Sequence, residues 1–296
     1  MPKVFQQTFQ IRHYECDAYG HLNNANYLRY MQEAAFNASA DVGYDLARYR
    51  NLGSFWLIRY TDIEYLRPVT YGERIVVETW VEDFRRVRSI RAYNFRVDGV
   101  NEVAARAYTD WVYLDRQSMQ PKTIPEEMVM AFSPNGGLDD PSPRRKFHPL
   151  QTPQEGVYYD HRRVEWRDLD AEGHVNNAVY LSFIEESGIQ VAKAYGWSLN
   201  RLKIEGVGIL ARRHQIDYRL PALLGDELRV GTWISDMGSS VVQRNYVIIR
   251  TSDEKVLARV SSKYVWVNLN RGKPVRIPAE MREDFIDNYV PDSASL

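Results

Sequence analysis

From Tyr27 onward, apolar residues fall at Tyr27, Leu28, Tyr30, Met31, Ala34, Ala35 and Ala38. Steps of three and four predict one long helix running to about Val42. The same spacing opens again at Tyr180, Leu181, Phe183, Ile184 and Ile189. Residues 4–13 and 157–166 alternate in part between apolar and polar, which predicts an opening strand before each helix. After Gly53 come segments rich in β-branched and aromatic residues at 55–67, 73–84, 88–98 and 102–115, broken by Pro68, Gly72 and Asp98-Gly99. Segments at 207–220, 226–237, 240–251 and 255–268 repeat them. A strand, a long helix and a succession of strands predict an α+β layer, with an antiparallel sheet packed on one helix.

The two halves are copies at an offset of 153 residues. The run from Asp17 through Gly20, His21, Asn23, Asn24, Ala25 and Tyr27 returns as Asp170, Gly173, His174, Asn176, Asn177, Ala178 and Tyr180. Downstream, Glu33 pairs with Glu186, Gly53 with Gly206, Arg59 with Arg212 and Trp80 with Trp233. Arg91 pairs with Arg244 and Phe132 with Phe285 in the same register. A register held this long implies duplication of a whole domain. The turn-rich stretch from Ser133 to Gly156 reads as a linker, giving domains at 1–132 and 157–296 joined by 133–156.

Composition narrows the picture. A chain of 296 residues suits two domains, each able to bury its own core. A net charge of −1 argues against a nucleic-acid partner. The single cysteine, Cys16, excludes an internal disulfide and a zinc site of clustered thiolates, and it fits a reducing compartment. No leader-like N-terminus and no run near the roughly 20 apolar residues of a membrane span are present, so the expectation is a cytoplasmic protein.

The element order, with a D-x-x-x-H-V-N-N-x-x-Y-like signature between first strand and helix, resembles the hot-dog fold thioesterases. Within them it looks most like the acyl-ACP thioesterases and the small 4-hydroxybenzoyl-CoA-type thioesterases. The resemblance implies two tandem hot-dog domains, each a long helix wrapped by a sheet of about five strands. It further implies a pseudo-dimer with acyl sites where the halves meet, and hydrolysis of acyl-CoA or acyl-ACP thioesters without metal or cofactor. Two features depart from the pattern. Plant-type acyl-ACP thioesterases place an asparagine midway between the aspartate and histidine, where this chain has Tyr19 and Glu172. They also tend to keep the signature in one half, whereas both halves carry it here.

Thioester hydrolysis needs a water or carboxylate aimed at the carbonyl carbon and donors aimed at its oxygen. Asp17 and Asp170 are candidates for general base or nucleophile, and the residues alone do not choose between these roles. His21 and His174 can donate to the thioester or protonate the leaving thiolate. Asn23 and Asn176 can position water or fix the loop. Backbone N–H groups at Asn24, Ala25, Asn177 and Ala178, expected to be unpaired at a helix start, are candidate oxyanion donors.

Each assignment has a plainer rival. An Asp or Asn before a helix is ordinarily a cap or turn former. Tyr27 and Tyr180 can line the site or simply pack the helix on the sheet. Glu33 and Glu186, carboxylates in an apolar helix stretch, are alternative bases or surface residues paired with Arg59 and Arg212. Arg91, within the cluster Arg85, Arg86, Arg88 and Arg91, can meet the phosphates of coenzyme A or an acidic carrier protein, or sit on a solvated strand edge. His13, His148, His161 and His214 have no repeated counterpart and read as structural or exposed.

Two other functions fit the same fold. One is an enoyl- or hydroxyacyl-thioester hydratase, although the glycine-rich loop of such enzymes is not found. The other is a non-catalytic acyl-thioester binding module. Further association of the tandem chain into a homo-oligomer is also expected.

Overall fold

The computed structural model describes residues 2–134, 147 and 151–291. The chain divides into two compact units, Met1–Lys146 and Phe147–Leu296. The first contains β1 (Phe5–Gln10), α1 (Asn24–Asp41), α2 (Leu46–Asn51), β2 (Ser54–Tyr65), β3 (Arg74–Phe84), β4 (Arg88–Val97), β5 (Val103–Asp115) and α3 (Glu126–Phe132). Its strands lie antiparallel in the order β1-β3-β4-β5-β2. The second contains β6 (Tyr158–Arg163), α4 (Asn177–Ala194), α5 (Leu199–Ile204), β7 (Val207–Tyr218), β8 (Glu227–Met237), β9 (Val241–Arg250), β10 (Lys255–Asn268) and α6 (Ala279–Asp284). Its order is β7-β10-β9-β8-β6, again antiparallel.

Side-chain alternation explains how each sheet holds its helix. Along β3, Ile75, Val77, Thr79 and Val81 point inward and are buried, while the residues between them are partly exposed. Helix α1 lies against β3 and β1 through the stripe Tyr27, Met31, Ala34, Ala35 and Ala38. Its alanines let the helix approach the sheet closely, and burying each large side chain opposite them contributes about 2 kcal/mol. The duplication reaches fine detail: β3 shifts register against β4 between Val81 and Asp83, and β8 shifts against β9 between Ile234 and Asp236.

The structure departs from the sequence expectations in several places. The long helices begin at Asn24 and Asn177, before the apolar spacing starts, because Asn23 and Asn176 cap them. The opening strands stop at Gln10 and Arg163, and single 3₁₀ turns at His13–Glu15 and Trp166–Asp168 follow. Helices α2 and α5 are too short to show periodicity. Their caps were visible, since Asp45 accepts from the Arg48 N–H at 2.7 Å and Ser198 from the Arg201 N–H at 3.3 Å. Both end at a glycine in the left-handed region, Gly53 at φ +59° and Gly206 at φ +67°, which turns the chain into β2 and β7. Most of the stretch read as a linker, residues 135–146 and 148–150, lies outside the described residues, and so does His148.

Candidate active site

In each unit the motif forms a closed loop between the 3₁₀ turn and the long helix. In the first, Cys16 and Leu22 make an isolated antiparallel bridge, and the Asp17 N–H donates to the His21 carbonyl at 2.7 Å. The Gly20 N–H donates back to the Asp17 carbonyl at 3.0 Å, with Gly20 at φ +79°. Asp17 Oδ1 accepts from the N–H groups of Tyr19 at 2.8 Å and His21 at 3.1 Å. The carboxylate therefore folds the loop as an Asx turn while remaining half-buried. In the second unit Leu169 bridges Val175, the Asp170 N–H donates to the His174 carbonyl at 2.9 Å, and Asp170 Oδ1 accepts from the Glu172 N–H at 2.9 Å. At the two positions that depart from the plant pattern, Tyr19 and Glu172, it is the main-chain N–H that meets the aspartate. That part of the turn does not depend on the side chain there.

The loop is tied to the β2–β3 and β7–β8 connections. His21 bridges Thr70, the Leu22 N–H donates to the Val69 carbonyl at 2.7 Å, and the Val175 N–H donates to the Ala222 carbonyl at 3.0 Å. His21 and His174 are both half-buried, and the His21 ring lies 6.5 Å from that of Tyr19. Aspartate, histidine and helix N-terminus are thus gathered in one loop per unit.

The helix starts correct one expectation. The Ala25 N–H donates to Asn23 Oδ1 at 3.0 Å and the Ala178 N–H to Asn176 Oδ1 at 2.9 Å, so these amides are occupied by the caps. The carbonyls of Asn24 and Asn177 accept from the Tyr65 and Tyr218 hydroxyls at 3.3 and 3.0 Å. With the Ala25 and Ala178 amides taken by the caps, the positive end of the helix dipole, equivalent to about half a charge, still faces the loop.

The remaining predicted residues separate clearly. Tyr27 is buried with Tyr65 and Phe95 edge-on to it, at 5.1 and 5.2 Å between centroids, and burial raises its phenol above the ordinary value. Tyr180 is buried likewise, its hydroxyl accepts from the Ala222 N–H at 3.1 Å, and burial pushes its pKa up to about 12. Both pack the helix on the sheet. Glu33 is exposed and accepts from Asn37 at 3.2 Å. Glu186 is half-exposed, accepting from Gln190 at 2.8 Å and pairing with Arg162 at 3.8 Å. Neither carboxylate is in the buried stripe, so the cost that singled them out does not arise.

Arg91 is a correction. It is 6% exposed, donates to Thr79 Oγ1 at 3.3 Å and sits over the Phe132 ring at 5.4 Å. Its counterpart Arg244, 7% exposed, donates to Thr232 Oγ1 at 3.2 Å and sits over Phe285 at 5.5 Å. Burial lowers the pKa of both. A guanidinium enclosed in this way holds the terminal helix onto the sheet and cannot reach a solvated phosphate. Arg85 and Arg88, its neighbours in sequence, pair with Asp83 and Asp110.

Residues not foreseen flank the first loop. Glu15 lies before it, and Asn26 and Tyr30 lie on α1 behind it, all buried. Among the described residues no group of three or more His, Cys, Asp or Glu is placed to hold a metal ion, and no helix is long and apolar enough to cross a membrane.

The thioesterase-like superfamily model matches residues 11–132 and again residues 164–285. The chain belongs to that superfamily, and it carries the family domain twice. A chloroplastic acyl-[acyl-carrier-protein] hydrolase of Cuphea viscosissima is 26% identical over 195 residues, covering 62% of this chain and 47% of the relative. The chain spans about half the length of the curated relatives it matches first. Among solved structures, an acyl-ACP thioesterase from Bacteroides thetaiotaomicron superposes with a TM-score of 0.70 at 17% identity, covering 88% of this chain and 97% of that one. A 12:0-ACP thioesterase from Umbellularia californica superposes with a TM-score of 0.71 at 21% identity, covering 89% and 94%. These likenesses establish the fold: tandem hot-dog domains, each a long helix held by a five-stranded antiparallel sheet.

Proposed function

We propose that this chain hydrolyses acyl thioesters to a free carboxylic acid and a thiol, with one candidate site in the motif loop of each unit. The observation that carries this reading is the recurrence of one loop geometry, with aspartate and histidine beside a capped helix N-terminus, in both copies of a thioesterase-like domain. Water adds to the carbonyl carbon, the carbon–sulfur bond breaks, and the thiolate leaves with a proton. Asp17 and Asp170 either take the proton from that water or attack the carbonyl carbon themselves, expelling the thiolate to leave a mixed anhydride that water then hydrolyses. The amides on Oδ1 orient each carboxylate. His21 and His174 supply the proton to the departing sulfur. Asn23 and Asn176 fix the helix start, whose positive end favours the oxyanion. No cofactor is called on.

The substrate class is an acyl group on a pantetheine thiol, as acyl-ACP or acyl-CoA. Names of relatives such as the Cuphea viscosissima hydrolase favour the carrier-protein form. The functional modules are taken as 1–132 and 157–296, joined by 133–156. A reducing setting fits the lone Cys16, and the cytoplasm is the proposed compartment.

The test is thiol release from a panel of acyl-ACP and acyl-CoA substrates. Asp17→Asn and Asp170→Asn should each lose part of the turnover, and the double variant should lose at least about a hundredfold. Loss in only one single variant makes the other copy structural. A folded wild-type chain that releases no thiol overturns the reading. A change in enoyl absorbance would then mark hydration, and binding without turnover would mark a sensor.

A further inference from the structure

The two motif loops are alike in backbone and unlike in what holds them. The first closes on a buried carboxylate: Glu15, 8% exposed, accepts from the Tyr30 hydroxyl at 2.7 Å, from the Arg12 N–H at 2.8 Å, and pairs with Arg12 Nη1 at 3.5 Å. The Glu15 carbonyl accepts from the Asn23 N–H at 2.9 Å and from Asn26 Nδ2 at 2.8 Å. Asn26 Oδ1 accepts in turn from Arg29 Nη1 at 2.5 Å. Tyr30 is held from behind by Phe9, stacked at 4.4 Å between centroids. Glu15 and Asn23 are the two stems of the loop that carries Asp17 and His21. Side chains from the second and sixth positions after Asn24 therefore tie the Glu15 stem to the body of α1, and the Asn23 stem is joined to Glu15 through its own N–H.

The second copy keeps only part of this. The Asn176 N–H donates to the Asp168 carbonyl at 2.9 Å, and the Asp168 carboxylate accepts from the Glu165 N–H at 2.8 Å. Val179 stands at the position of Asn26 and Phe183 at that of Tyr30, both buried. Neither side chain has a polar atom, so the side-chain bonds that α1 makes to its loop stem have no counterpart from Val179 and Phe183 of α4. The shorter Asp168 is also less enclosed than Glu15.

We infer that Glu15, Asn26 and Tyr30 are positioning residues that hold the first motif loop in its folded form, and that the two loops consequently differ in order and in turnover. The inference rests on the reading of Asp17 and His21 given above. A buried carboxylate that accepts a tyrosine hydroxyl is costly to keep unless its partners are all in place. The clamp thus stores its stability in the geometry next to Asp17, and the hydroxyl adds to a bond network rather than to apolar packing alone. Burial, followed by the bond to Glu15, raises the Tyr30 phenol above its ordinary value, so the donor keeps its proton across the working range.

The test has two arms in the full-length chain. The first is amide hydrogen exchange of the wild-type protein, comparing residues 16–23 with residues 169–176. The first loop should exchange more slowly, and equal or faster exchange overturns the inference without any variant. The second arm gives copy one the side chains of copy two, as Asn26→Val with Tyr30→Phe, and uses Tyr30→Phe alone should the pair fail to fold. Loss of the single Tyr30 bond should raise exchange at 16–23 by roughly five- to tenfold, the pair of substitutions should raise it further, and 169–176 should stay unchanged in both. With Asp170→Asn silencing the second site, kcat should fall by a similar factor while KM moves less than about twofold, the pattern of lost orientation rather than lost binding. Unchanged kcat with thiol release intact overturns the positioning role alone. A wild-type chain that releases no thiol overturns the hydrolase reading and takes the positioning role with it.

Discussion

At the scale of single residues, duplicated positions show which side chains their surroundings demand. Arg91 and Arg244 have the same threonine and phenylalanine partners 153 positions apart, which marks them as parts of the core. His214 shows the opposite case. It stands where the first copy has Thr61, and it is fully enclosed with Nδ1 at 2.8 Å from Ser262 Oγ. Burial lowers its pKa from 6.5 to about 3, so the ring is neutral in the fold and takes up a proton on unfolding. The unfolded state binds more protons between those values, so stability is complete above about 6.5 and falls as the solution is acidified toward 3. At pH 5 the loss from this one group should be about 2 kcal/mol. Urea unfolding at pH 7 and pH 5 should show that loss in the wild type and a smaller one in His214→Thr. Equal losses would refute the assignment.

At the scale of elements, caps and close approaches set the geometry that periodicity leaves open. The long helices start where Asn23 and Asn176 stop the loop, and that start places the motif at the positive end of each helix. Strand β8 shows how a single glycine admits a neighbour. Gly231 is the register partner of Tyr159 on β6, and a Cβ there would lie 2.7 Å from the Tyr159 ring and 3.0 Å from Val157 and Val247 side chains. Gly231→Ala should therefore destabilise the second unit by about 1–3 kcal/mol through overpacking. A companion Tyr159→Ala change should recover part of the loss, and urea unfolding of the single and double variants would measure the coupling. The first copy has Glu78 at this position, so the tyrosine-on-glycine packing arose in one copy only.

At the scale of the whole molecule, the overall charge lacks the basic excess that nucleic-acid binding calls for. A net charge of −1, with many arginines committed to ion pairs such as those with Asp83, Asp110 and Asp226, leaves no basic surplus. The chain should pass unretained through a heparin column at about 0.15 M salt, and retention would contradict this. The duplication, the helix-and-strand order and the loop carrying Asp17 and Asp170 were legible in the sequence. They depend on local spacing and on a repeat register that any reader of the chain can align. The short helices α2 and α5 escaped because one or two turns show no periodicity, although Asp45 and Ser198 advertised their starts. Arg91 was misplaced because a charged residue in a strand looks the same from sequence whether it faces water or Phe132. For Glu33 and Glu186 the readings as base and as surface residue stay open in the sequence for the matching reason, since an apolar helix stretch does not reveal which face a carboxylate takes. The sequence by itself determined that one domain occurs twice with the same motif. Only the tertiary structure decided that Asn23 and Asn176 occupy the Ala25 and Ala178 amides, and that Glu15, Asn26 and Tyr30 bond across the stem of one loop and not the other. Those facts depend on bonds between residues brought together by the fold, and spacing along the chain carries no record of them.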